Sequence, residues 1–177
     1  MLTLSLIPGI DIGTVCMVLA AIAIGIYLHH MNKRQDDRQK KPLTKPLTEN
    51  DLQTLSDDDL IRAFAWDILS RTDRRHPDVY ALLPALSHGQ TAVYSVWVVC
   101  NELREASFED ASRSKSRGFC ELAADGFSLI GATACEQALV ALLEDPSSDE
   151  PLRAAIETEQ PLTLCAAYIR ENPSEFL

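Results

Sequence analysis

The residues of this chain whose types and spacing come nearest to chemistry are four carboxylates, Glu102, Glu105, Glu109 and Asp110. Glu102 and Glu105 fall on adjacent turns of one predicted helix face, where paired carboxylates could divide general acid and general base work. Such work needs further groups, and none is written nearby. His29 and His30 border an apolar run, while His76 and His88 stand in polar connectors without a neighbouring nucleophile. The chain contains no G-x-S-x-G, no H-E-x-x-H, no P-loop and no G-x-G-x-x-G. The four carboxylates therefore read as a partner-binding surface, with an enzyme using helix carboxylates as a secondary alternative.

Metal and redox chemistry find little better footing. Asp57, Asp58 and Asp59 are consecutive, so on a helix they point in different directions, and the alternating ligands of a calcium loop are missing. The five cysteines, Cys16, Cys100, Cys120, Cys135 and Cys165, form no C-x-x-C pair with which to build a zinc or redox site. They read as small buried hydrophobes held reduced. No metal and no cofactor are expected.

The elements that must position the carboxylates read as helices throughout, with no strand-like alternation. "LSDDDLIRAFAWDIL" opens with Ser56 as N-cap and places Leu60, Ile61, Phe64, Ile68 and Leu69 on one face. "HPDVYALLPAL" reads as a connector with a short helical turn. "QTAVYSVWVVCNELREA" follows as the central helix, with Val93, Val96, Trp97, Cys100 and Leu103 at core spacing. The next helix carries Phe119, Leu122, Ala123, Leu129 and Ile130 inward and ends at Gly131. Thr133 and Glu136 suggest a capping box for "ACEQALVALLED", Pro151 and Pro161 open two more helices, and Asn172 with Pro173 stops the last.

Charge divides the chain. Residues 1–48 carry six Lys or Arg against three Asp, or +3, and residues 49–177 carry ten against twenty-three Asp or Glu, or −13, which together give the net −10. A domain at −13 is repelled by nucleic acid, so no direct nucleic-acid binding is expected. Ile12 to Leu28 holds no charge and no proline, and Ile10 to His30 is long enough, at about 30 Å of helix, to cross a bilayer. Lys33, Arg34, Arg38, Lys40 and Lys41 all follow this run, which predicts that the C-terminal side faces the cytoplasm. "KKPLTKPLTEN" then reads as a short, stiff linker because two prolines prevent a helix from continuing.

Three stretches, "AVYSVWVVCNELREASFEDA", "ELAADGFSLIGATACEQALVAL" and "AYIRENPSEF", together resemble the bacterial DNA-mimic protein domain family, an all-α family largely of unknown function. The resemblance covers residues 52–176. Glu102, Leu103 and Phe108 match the ends of the family's Glu-Val-Asn-Asn-Gly-Gly-Phe motif. Ile130, Gly131 and Ala132 match a helix end, and Pro173, Glu175 and Phe176 match its tail. Arg104, Glu105, Ala106 and Ser107 replace the Asn-Asn-Gly-Gly turn, so the helix is expected to run further before it turns. The resemblance implies an all-α fold and, from the best-described member, a DNA-like charge distribution that occupies a DNA-binding transcription factor. Here Arg104, Arg113, Lys115 and Arg117 interrupt such a stripe.

The reading is thus an all-α protein with a single N-terminal transmembrane helix followed by a compact multi-helix domain. It comprises a short extracytoplasmic N-terminus over residues 1–11, a membrane span over 12–30, a basic juxtamembrane linker over 31–50 and the acidic domain over 51–177. The location expected is the bacterial inner membrane, N-terminus outside and domain in the cytoplasm. The function expected is a non-catalytic, membrane-anchored protein-interaction module with an unidentified protein partner, a DNA mimic being the alternative.

Overall fold

The computed structural model describes residues 46–72, 78–108 and 117–177. All of them belong to the unit Leu43–Leu177. Every regular element among the described residues is helical: α1 Glu49–Thr54, α2 Asp57–Ser70, α3 His88–Glu105, α4 Arg117–Leu129, α5 Thr133–Glu144, α6 Glu150–Glu159 and α7 Pro161–Glu171. Short 3-10 turns at Tyr80–Ala85 and Pro173–Glu175 complete the set.

The all-α expectation holds for this domain, but the membrane expectation requires correction. No helix among the described residues is long and apolar enough to cross a membrane. The span read over residues 12–30 lies outside the described residues, as do residues 1–11, most of the linker and the topology-setting Lys33, Arg34, Arg38, Lys40 and Lys41. A single-pass protein of the inner membrane is therefore not supported, and the cytoplasmic placement that depended on it falls with it. An apolar run of suitable length is a matter of composition, and composition alone does not make a helix that spans.

Local chemistry sets several helix ends. Thr48 and Asp51 form a full capping box for α1, which starts two residues before the boundary read at residue 51. Ser56 Oγ accepts from the Asp59 N–H at 3.3 Å to start α2, and Ser87 with Gln90 forms a second full box for α3. At the end of α4, Gly131 takes φ 78°, and the Ala132 N–H returns to the Phe127 carbonyl at 2.8 Å. That closure needs a left-handed residue, which glycine adopts without steric cost.

α3 is the centre of the domain and packs chiefly against α4, with α7, α2 and the C-terminal turn on its other sides. Its burial reaches around the helix: Ala92, Val93, Tyr94, Ser95, Val96, Val99, Cys100 and Leu103 are all inside. Ser95 tolerates this because its hydroxyl donates to the Ala92 carbonyl at 2.8 Å. Trp97 departs from its expected core position, being half-buried with its ring 5.5 Å from that of Tyr94. Phe127 on α4, fully enclosed, fills the core in a way the periodicity did not single out.

The α3/α4 crossing is close because α4 presents Gly126 to it. A Cβ at that position would lie 2.7 Å from the Ala92 carbonyl oxygen and 2.9 Å from Val96 Cγ2. Backbone cannot swing aside as a side chain can. Gly126→Ala should therefore destabilise the domain by up to about 2 kcal/mol in urea denaturation, overpacking of about 1–3 kcal/mol being offset by alanine's helix advantage of about 1. An unchanged or raised midpoint would show that the two helices separate freely.

Candidate interaction site

The four sequence-selected carboxylates are not brought together as a described cluster. Glu102 is half-buried on α3 and Glu105 is its last residue, whereas Glu109 and Asp110 lie outside the described residues. The helix does run through Arg104 and Glu105, as the absence of an Asn-Gly turn predicts, and Ala106 leaves it in extended conformation. What stands at this end of α3 is a different constellation, built from the start of α6.

An α-helix ends with carbonyls that have no partner in the helix itself. Arg153, on α6, donates from Nη1 to the Leu103 carbonyl and from Nη2 to the Ala106 carbonyl at 2.7 Å. The same guanidinium grips Asp149 through Nε to Oδ1 and Nη2 to Oδ2, both at 3.0 Å. Asp149 Oδ2 also accepts from the Phe108 N–H at 2.9 Å. One arginine thus caps α3 and holds the carboxylate that captures the chain leaving it. The Arg153 contact, aided by the Phe108 N–H, holds the Asp149 carboxyl below the usual carboxylate range.

Beside this hub a cleft of about 330 Å³ opens between α3, α6 and α7. Cys100, Leu103, Ile156 and Leu162 give it an apolar lining, with Arg104, Glu157 and Gln160 among its polar residues. Gln160 joins α6 to α7 at φ 50°, and its Nε2 donates to the Glu157 carbonyl at 2.6 Å. Cys100 is the nucleophile nearest to hand, but it is 2% exposed. Burial pushes its thiol up to about 12, against a smaller downward pull from Arg104. Burial raises the Cys135 and Cys165 thiols too. A protonated, enclosed thiol does not attack.

Three further ionic side chains cap helices from a distance. The expected Thr133/Glu136 box is replaced: α5 has no side-chain cap from its own Ncap residue, Ala132. Instead Glu159 accepts from the N–H groups of Ala134 and Cys135 at 3.0 and 2.9 Å. Glu175 accepts from the Gly89 N–H at 2.7 Å and from the Tyr168 hydroxyl at 3.1 Å, closing the start of α3. Arg170 donates to the Leu52 and Leu55 carbonyls and to Asp57 Oδ1 at 2.6 Å. The aspartate triplet is therefore structural at Asp57, and no cluster among the described residues could hold a metal ion. No periodic signal marks these four residues, because each acts on a helix 24 or more positions away in the chain or across a turn.

The tail residues Glu175 and Phe176 have architectural work here. Glu175 caps α3, and Phe176 is buried with its ring edge-on to Phe64 at 5.4 Å. No family model, curated protein or solved structure matches this chain.

Proposed function

We propose that the helical domain is a non-catalytic protein-interaction module, and that the cleft between α3, α6 and α7 receives an apolar side chain of the partner. The observation that carries this reading is the cleft itself, which sets Leu103, Ile156, Pro161 and Leu162 beside the polar groups of Arg104, Arg153, Glu157 and Gln160. A concave site that offers both apolar contact and hydrogen-bonding groups suits a partner side chain with an apolar body. Its one thiol is buried and protonated, which favours binding over nucleophilic chemistry.

A second reading, DNA mimicry, is favoured by a separate observation. Residues 118–152 contain Glu121, Asp125, Glu136, Glu144, Asp145, Asp149 and Glu150 and no Lys, Arg or His. Carboxylates held on helices can imitate phosphates and attract a basic DNA-binding protein. Such capture is governed by charge, so it should weaken steeply between about 50 and 200 mM salt and yield to duplex DNA. Pull-down with the full chain at both salt concentrations, with and without duplex competitor, separates the readings. The partner is expected to remain bound throughout and to be weakened by Arg104→Glu; its loss under both challenges would promote mimicry instead.

A further inference from the structure

The outward face of α5 carries two of the large hydrophobic side chains that the domain leaves exposed, Val140 at 43% and Leu143 at 38%. Cys135, Leu139 and Leu142 take the opposite face of the same helix into the core. Residues three apart lie side by side on a helix, so Val140 and Leu143 make one apolar patch. Glu136 stands one turn before Val140 and Glu144 one turn after it. A shallow depression runs along Glu136, Gln137, Val140, Ala141 and Glu144.

We propose that this face docks a basic amphipathic helix of a partner protein, an inference that rests on the interaction-module reading and adds a second contact surface to it. The apolar pair would meet Leu-like side chains at helical spacing, and Lys or Arg one turn to either side would reach Glu136 and Glu144. Charge selects among possible occupants. No cation occurs anywhere in residues 118–152, and Glu121 and Asp125 on the adjoining α4 are exposed as well. A second copy of the chain would set the same carboxylates against one another, and anionic lipid or nucleic acid would be repelled. A cationic helix with an apolar stripe satisfies both parts of the face. The Glu159 contacts to Ala134 and Cys135 fix the start of α5, so the face is held in place before binding.

The test uses the full chain and a labelled designed peptide of about 18 residues, with leucines along one helical stripe and lysines beside it. A scrambled peptide of equal composition serves as the control. Fluorescence anisotropy should show the amphipathic peptide binding at least about tenfold more tightly than the scrambled one. Val140→Asp with Leu143→Asp should remove that preference while the helical circular dichroism spectrum is kept. Glu136→Gln with Glu144→Gln should weaken binding about three- to tenfold and flatten its salt dependence. Equal binding of the two peptides, absence of binding, or indifference to the apolar substitutions would overturn the proposal. So would a wild-type dimer in ultracentrifugation that Val140→Asp abolishes, because the occupant would then be a second copy. None of these outcomes touches the α3/α6/α7 cleft, which the Arg104→Glu pull-down reads separately.

Discussion

Phe127→Ala is expected to lower the stability of the domain by about 3–5 kcal/mol, the range for emptying a fully enclosed phenylalanine site. Phe127 is 0% exposed and follows Gly126, the residue that brings α4 against the Ala92 carbonyl and Val96. A close helix crossing has little freedom to collapse into the vacated space, so the cavity remains. Against a typical total of about 5–15 kcal/mol, such a loss moves the urea midpoint far or abolishes folding at moderate temperature. Leu143→Ala is the matched control, since Leu143 is 38% exposed and surface changes usually stay within about 0.5 kcal/mol. Should the two variants unfold at similar urea concentrations, the assignment of α4's inward face would be wrong.

Arg153→Ala should cost about 2–3 kcal/mol at neutral pH. It orphans the Leu103 and Ala106 carbonyls and leaves Asp149 without its cation. The Arg153 side chain is 34% exposed, which reduces the effect through solvent screening and keeps the figure below that for Phe127. Arg153→Lys should recover only part of the loss, because one ammonium cannot span two carbonyls and a carboxylate as the planar guanidinium does. The effect also depends on pH. Asp149 is depressed when folded, so its contribution is complete above the unfolded value of about 3.9 and is lost as pH falls through the lower folded value. The stability gap between wild type and Arg153→Ala should therefore narrow on going from pH 7 into that acid range. Urea titrations that show the same gap at every pH would remove Asp149 from the account.

The candidate site was less accessible to sequence reasoning than the fold. Glu102 and Glu105 do share α3, yet the groups gathered at that helix end are Arg153 and Asp149, from a region about fifty positions onward. No short motif connects them, because the contact is made by folding α6 against the end of α3. Trp97 and Phe127 illustrate a related limit. Helical spacing puts Trp97 at a core position and does not single out Phe127, because a broad apolar stripe does not say which edge faces a neighbouring helix. In the structure Phe127 is enclosed and Trp97 is half-buried.

That the domain is helical, and where several of its helices begin or end, was legible along the chain. Ser56, Gly131, Pro151, Pro161 and Asn172 act on backbone groups within a turn of themselves, so their chemistry is local and readable in order along the chain. The tertiary structure alone decided that Glu159 caps α5 in place of the Thr133/Glu136 box, and that Arg153, Arg170 and Glu175 close helices to which they do not belong. It also decided which apolar residues stay outside, leaving Val140 and Leu143 uncovered on an acidic face. The physical reason is range. A helix end can be satisfied by any charged side chain that the packed fold delivers to it, and that delivery depends on how helices far apart in sequence come together.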